Sequence, residues 1–204
     1  PVAEETGMIT ELGEWVLFNA LATHRQWKET GLKPGGLAVN VSPRQLLEPA
    51  FADMVERLLE ATCVEPGDLE LEVTESTRLD NIDQVVNTML RLRDIGVKFA
   101  LDDFGAGYAS LDYVRKLPIG AVKIDQSFIR NIPDNHKDAL LVKGMVNMAK
   151  DLGLKVVAEG IEEPAQLDAL RPLKCNEFQG FLFSRPLSGD QAMSLLAQAP
   201  AYAV

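Results

Sequence analysis

Arg93-Asp94-Ile95-Gly96-Val97-Lys98-Phe99-Ala100-Leu101-Asp102 is a unit whose pattern returns further along the chain as Lys150-Asp151-Leu152-Gly153-Leu154-Lys155-Val156-Val157-Ala158-Glu159. Each copy predicts the end of a helix, a glycine just past that end, a buried strand and then an acid. Two copies of one βα unit would produce this repetition. The sequence therefore predicts helices that alternate with the strands of a mostly parallel sheet.

The same alternation extends outward from these two units through most of the chain. Apolar patterns predict strands over 37–41, 69–73, 97–101, 121–124 and 154–158, with a short strand region from Phe178. Helices are predicted over 51–61, 82–92, 139–152, 164–170 and 191–198, and from the spacing of Ile9, Leu12, Val16 and Ala20. A trimmed (β/α)8 TIM-like barrel fits, because a complete one usually needs about 250 residues. An open doubly wound sheet is the alternative, although no G-x-G-x-x-G motif follows its first strand.

Composition bounds the function classes. The 204 residues are 47% hydrophobic and 25% charged, which predicts a single globular domain over residues 1–204. A net charge of -10 argues against DNA or other non-specific nucleic-acid binding. Cys63 and Cys175 form no C-x-x-C motif, so we expect two buried thiols in a reducing, cytoplasmic compartment and no zinc site. With two histidines in the whole chain, a catalytic metal would be held by oxygen, as Mg²⁺ or Mn²⁺ is.

Polar side chains stand at the end of every clear strand. They are Asn40, Glu72, Asp102-Asp103, Lys123, Glu159 and Gln179. In a barrel these ends converge on one face, where active sites lie, and adjacent carboxylates repel each other unless a cation lies between them. The structural alternatives are a loop start at Asp102-Asp103, a turn at Asn40 and an ion pair at Lys123. Taken together, the set favours metal-assisted phosphoryl transfer to water.

The chain resembles the EAL domain, the bacterial phosphodiesterase domain that linearises cyclic di-GMP. The resemblance covers essentially the whole chain. It rests on Ala3-Glu4-Glu5-Thr6-Gly7, Asn40-Val41-Ser42-Pro43-Arg44-Gln45-Leu46, Glu72-Val73-Thr74-Glu75-Ser76, Asp102-Asp103-Phe104-Gly105-Ala106-Gly107-Tyr108, Lys123-Ile124-Asp125, Val157-Ala158-Glu159-Gly160-Ile161-Glu162 and Gln179-Gly180-Phe181-Leu182-Phe183-Ser184-Arg185-Pro186.

The resemblance implies a (β/α)8-like barrel and hydrolysis of cyclic di-GMP to linear pGpG with two Mg²⁺ or Mn²⁺ ions per site. It implies metal ligands at Asn40, Glu72, Asp102, Asp103 and Glu159, with Asp102 bridging both ions. By position, Lys123 matches the residue that holds the attacking water, and Glu159 also matches the general base. Gln179 and Glu162 match residues on the substrate side, and Glu75 matches the glutamate that steadies the loop after Asp103.

The resemblance also shapes what we expect of the parent protein. The family's first strand, antiparallel to the others, carries the Glu-Ala-Leu motif, which this chain lacks, so we expect an N-terminally truncated domain. The domain is expected to form a homodimer. In the parent protein we expect it to be fused to sensory or GGDEF domains, and another segment of the parent can anchor it to the membrane. Two alternatives stay open: an impaired EAL domain that binds cyclic di-GMP as a receptor or regulatory module, and an unrelated metal-dependent barrel enzyme.

Overall fold

Parallel pairing in chain order defines the architecture. The structure, a computed structural model, describes residues 2–74, 81–106 and 111–198, with the side chains of 111–113 left aside. Six strands lie side by side in sequence order and every neighbouring pair is parallel. They are β1 (Leu37–Val41), β2 (Leu69–Thr74), β3 (Lys98–Phe104), β4 (Ala121–Ile124), β5 (Lys155–Ala158) and β6 (Glu177–Phe178). The sheet is curled into a half-barrel.

This strand order decides between the two predicted folds. A doubly wound sheet reverses its strand order at a switch point, whereas a barrel adds each strand beside the previous one. The described strands follow the second pattern without a reversal. The TIM-like prediction is therefore confirmed, and the doubly wound alternative is wrong.

Several of the helices pack against the sheet. The described helices are α1 (Val2–Glu5), α2 (Ile9–Glu29), α3 (Pro43–Leu47), α4 (Phe51–Thr62), α5 (Ile82–Asp94), α6 (Leu111–Lys116), α7 (Gln126–Ile129), α8 (His136–Asp151), α9 (Pro164–Leu170) and α10 (Gly189–Gln198). In β2, Leu69, Leu71 and Val73 are buried in the hydrophobic core. Because side chains alternate along a strand, Glu70 and Glu72 face the opposite, concave side.

The repeated βα unit has the same backbone geometry in both copies. After α5, the Gly96 amide donates to the Arg93 carbonyl at 2.8 Å and the Val97 amide to the Leu92 carbonyl at 3.1 Å. After α8, Gly153 and Leu154 make the equivalent pair of bonds, both at 2.9 Å. These are the two bonds of a Schellman motif, and both glycines have positive φ, as the sequence predicts.

The helix predicted from the spacing of Ile9, Leu12, Val16 and Ala20 is confirmed as α2. It buries Leu17, Leu21 and His24, whereas Leu12 is 47% exposed. The expectation of two buried thiols is wrong: Cys63, the left-handed C-cap of α4 with φ of 53°, is exposed, and Cys175 is only partly buried. None of the described helices combines the length and the apolar character needed to cross a membrane.

Candidate active site

A distortion in β3 brings the two adjacent aspartates to one site. Asp102 and Asp103 lie within β3, not after it, and a regular strand would turn them to opposite faces. The register with β4 shifts between Leu101 and Phe104, and Asp103 adopts φ of 55°. Such a bulge changes the direction of a side chain. As a result, Asp102, Asp103 and Glu159 each offer an oxygen, and these oxygens lie within 4.8 Å of one another.

Lys123 lies between the acids on the concave face. Its Nζ is 2.8 Å from Glu72 Oε2, 2.7 Å from Glu159 Oε1 and 3.3 Å from Asp102 Oδ1. An ammonium has three N–H donors; Glu159 and Glu72 each accept a hydrogen bond from it, while Asp102 lies within ion-pair distance. Since Lys123 is only 5% exposed, the group is a buried charge network that joins β2, β3, β4 and the residue directly after β5.

The charge states of the network follow from burial and neighbouring charges. Burial alone lowers the pKa of Lys123, but its hydrogen bonds to Glu159 and Glu72 outweigh burial and raise that pKa. Burial raises the pKa of Glu159, with Lys123 opposing this and Asp102 adding to it. Burial, then Asp102 and Asp125, raise the pKa of Asp103. The acids therefore favour a further cation, and hard carboxylate oxygens suit Mg²⁺ or Mn²⁺.

An open cavity of about 220 Å³ adjoins this network. Its lining includes Asp103, Asp125, Gln126, Glu159, Gly160, Glu162, Gln179, Gly180 and Phe181. Small-molecule sites usually measure about 300–1,000 Å³. The cavity is therefore smaller than a typical small-molecule site.

The predicted site residues fall into four groups, the first of which is the charge network. Lys123 joins Glu72, Asp102 and Glu159 by direct contacts, and Asp103 by way of the carboxylate cluster.

Asn40 lies exposed on β1, opposite Glu72 in the strand register, so both side chains face the concave side. Gln179 and Glu162 lie on the cavity wall. Glu75 lies outside the described residues.

The sequence interpretation missed Asp125, Gln126 and Phe181, which also line the cavity. Asp125 accepts a hydrogen bond from the Ser127 amide at 3.0 Å and so caps α7. The sequence could have indicated Asp125, because it is a second ionisable residue at the same strand end, two positions after Lys123. No sequence pattern distinguished Phe181, because its neighbours in the chain are apolar as well.

The curled parallel sheet places the domain in the TIM-barrel class of folds. The carboxylate cluster and the buried lysine at its strand ends form a candidate metal site. The sequence profile described as the EAL domain matches residues 1–186, and the chain belongs to this family.

Curated relatives agree with this assignment. The chain is 40% identical over 197 residues to the bifunctional diguanylate cyclase/cyclic di-GMP phosphodiesterase MucR of Pseudomonas aeruginosa, covering 97% of this chain and 29% of MucR. It is 44% identical over 186 residues to the cyclic di-GMP phosphodiesterase NbdA of the same organism, covering 91% of this chain and 24% of NbdA. The chain thus spans about a quarter of the length of these relatives.

Solved structures share the fold. The PaMucR phosphodiesterase in its c-di-GMP complex superposes with a TM-score of 0.87 at 41% identity, covering 94% of this chain and 77% of that one. The manganese/cy-diGMP complex of Klebsiella pneumoniae BlrP1 gives 0.77 at 33% identity, covering 83% and 43%.

Proposed function

We propose that this domain hydrolyses cyclic di-GMP to linear pGpG, with two Mg²⁺ or Mn²⁺ ions as cofactors. The observation that carries the proposal is the convergence of Asp102, Asp103 and Glu159 around shared space beside buried Lys123. Cyclic di-GMP is proposed as the substrate because MucR and NbdA are both named cyclic di-GMP phosphodiesterases. When bound, a divalent cation would lower the pKa of water and neutralise charge on the phosphodiester.

The site residues suit distinct roles. Lys123 has a raised pKa and stays protonated at neutral pH, so it acts as a hydrogen-bond donor that orients the attacking water and not as a base. Glu159 has a raised pKa, which suits a group that accepts a proton from that water. The water oxygen forms a new P–O bond while one P–O3′ bond breaks; Glu159 accepts a proton from the water, and the released O3′ oxygen takes up a proton from solvent to become a hydroxyl group.

The remaining residues would bind the cations and the substrate. Asn40, Glu72, Asp102, Asp103 and Glu159 together would hold the cations. Asp125, two residues after Lys123, joins this acidic wall and is an additional candidate ligand. Glu162 and Gln179 line the part of the cavity beyond the cluster, where the nucleoside would lie.

The test is turnover by the purified chain. Cyclic di-GMP is incubated with Mg²⁺, Mn²⁺ or EDTA, and pGpG is measured by ion-pair chromatography. We expect metal-dependent product formation that Asp102→Asn and Glu159→Gln abolish, while Asp53→Asn, an exposed acid on α4, is the matched control. Binding of cyclic di-GMP without turnover would instead support the alternative that the domain is a cyclic di-GMP receptor. Absence of both binding and turnover would overturn the proposal.

We also propose that the domain works as a homodimer within a longer signalling protein. The exposed leucines Leu140 and Leu141 of α8, 54% and 51% exposed, border an apolar groove that includes Phe104 and Met145. Phe104 directly follows Asp103, so this groove lies behind the candidate metal site. Light scattering tests the dimer: Leu141→Glu should give a monomer, and a monomeric unmodified chain would contradict the proposal.

A further inference from the structure

Asn40 is a candidate cation ligand that lies on an edge strand. Among the described strands, β1 pairs with β2 alone, so one neighbour fixes its position. The chain leaves β1 after Val41 and enters α3 at Pro43. With one strand beside it in the described part of the chain, Asn40 depends for its orientation on what holds the turn at Ser42.

This turn is ordered within itself. The Ser42 hydroxyl accepts a hydrogen bond from the Arg44 amide at 3.3 Å, and the Ser42 amide donates to Gln45 Oε1 at 3.0 Å. The side chains of Ser42 and Gln45 form a capping box at the start of α3, with Pro43 in its first turn. Because Gln45 is only 2% exposed, the turn and the start of α3 form one rigid unit.

Glu4 on α1 fastens this unit to a distant part of the chain. The Ser42 hydroxyl donates to Glu4 Oε1 at 2.6 Å, and the Arg44 guanidinium donates to the Glu4 carbonyl oxygen. A hydroxyl has one proton, so Ser42 donates to Glu4 while it accepts from the Arg44 amide. The hydrogen bond from Ser42 lowers the pKa of Glu4, with burial opposing it. At neutral pH the bond is thus charge-assisted, which makes it stronger than a bond between neutral groups.

A second contact, from α2, limits how far the unit can shift. Gly13 lies so close to the Gln45 side chain that a Cβ there would be 1.9 Å from Gln45 Nε2. A larger residue at position 13 would push Gln45 out of the capping box. Close packing against α2 and directional hydrogen bonds to α1 therefore hold the turn from two elements.

We propose that Glu4 is a positioning residue for cation binding, which acts on Asn40 through Ser42. The inference rests on the proposed function, in which Asn40 is one of the cation ligands. Asn40 lies opposite Glu72 in the strand register, and the other proposed ligands are carboxylates like Glu72. The amide oxygen of Asn40 carries no net charge, so a cation attracts it less strongly than it attracts a carboxylate. Its contribution therefore depends on being oriented in advance.

Loss of Glu4 should weaken cation binding and not stability alone. Residues that orient metal ligands change metal affinity by about 10-fold to 100-fold when they are replaced. Because Glu4 acts through Ser42, we expect Glu4→Ala and Ser42→Ala to weaken Mn²⁺ binding by about 10-fold, the lower end of that range. Glu4→Gln keeps an acceptor oxygen and Ser42→Thr keeps the hydroxyl, so both should recover most of the affinity.

The experiment is titration calorimetry of the purified chain with Mn²⁺ in the absence of nucleotide, well below the melting temperature of each variant. Glu5→Ala is the matched control, because Glu5 is an exposed acid next to Glu4 on the same helix. The melting temperature in EDTA reports the structural effect of each variant separately. Each substitution is repeated in the Asn40→Ala background, where Glu4→Ala should add no further loss of affinity if Glu4 acts through Asn40.

The outcomes separate this inference from the proposed function. A Mn²⁺ affinity of Glu4→Ala equal to that of Glu5→Ala overturns the inference and leaves the metal site standing, whatever the melting temperature in EDTA. The same loss of affinity with and without Asn40 overturns the route through Asn40. No Mn²⁺ binding by the unmodified chain overturns the metal-dependent function itself, and the positioning role with it.

Discussion

Replacing Lys123 by methionine tests whether the buried ammonium holds the strand ends together. The substitution removes the charge and keeps a flexible apolar side chain of similar length. Glu72 at 2.8 Å, Glu159 at 2.7 Å and Asp102 at 3.3 Å then lose their shared cation in a site where Glu72 is 6% exposed. We expect a large loss of stability in the metal-free protein, because buried carboxylates repel each other without a counterion.

The size of the loss can be bounded. Removing one partner of a buried ion pair costs about 3–5 kcal/mol in the free energy of unfolding. For a domain of this length, each kcal/mol shifts the melting temperature by about 2–4 °C. Lys123→Met should therefore melt about 6–20 °C below the unmodified chain in EDTA.

The assay is urea and thermal unfolding followed by circular dichroism, with and without Mg²⁺. Lys143→Met is the control, because Lys143 is exposed on α8 and lysine and methionine have similar helix propensities. Mg²⁺ should recover much of the stability of Lys123→Met, since a divalent cation can balance the same acids. Turnover of cyclic di-GMP should stay lost, because Mg²⁺ cannot replace the hydrogen bond donated to the attacking water.

A loss below about 1 kcal/mol in EDTA would refute the reasoning, because it would mean that solvent already screens the acids and that Lys123 does not bind the network together. A loss equal to that of Lys143→Met would lead to the same conclusion.

Further predictions concern the bulge, the pH dependence and one glycine. Asp103→Asn, which tolerates positive φ, should stabilise the metal-free protein and abolish its stabilisation by Mn²⁺, measured by thermal unfolding. The pKa of Asp103 is raised in the folded state, so the folded protein loses stability as pH rises above the pKa of ~4 that this carboxyl has in the unfolded chain. The stabilisation by Asp103→Asn should therefore be larger at pH 7 than at pH 4. Gly180→Ala should cost about 1–3 kcal/mol or more in urea unfolding, because its Cβ would meet the Ile161 backbone at 2.1 Å. Gly144→Ala, with no atom within 4 Å of its Cβ on α8, should instead stabilise by about 0.5–1 kcal/mol, and the opposite order would contradict this.

Local patterns predicted the elements well. The Gly96 and Gly153 units have the same Schellman bonds, and strands appear at the predicted places with shifts of a few residues. These features depend on contacts within a few residues, so the sequence encodes them directly. The exposed face of α2 shows the limit, because helical spacing marked Leu12 and Val16, while packing buried Leu17 and Leu21.

The candidate site was only partly predictable. Convergence of the strand ends in a barrel predicted that Glu72, Lys123 and Glu159 lie on one face, and the structure brings Lys123 within hydrogen-bond distance of both glutamates. The partner of each acid was not predictable, because these distances depend on the curl of the sheet. Phe181 was missed because Leu182 and Phe183 beside it are apolar as well, and only the fold decides which of them lines the cavity.

The sequence by itself determined the βα repeat, the acids at the strand ends and membership of the EAL domain family. Only the tertiary structure decided that Asp102 and Asp103 point to the same site. In a regular strand they would diverge, and what turns Asp103 is a bulge with φ of 55° and a shifted register against β4. That register is set by packing between strands distant in the chain, which no local sequence pattern specifies.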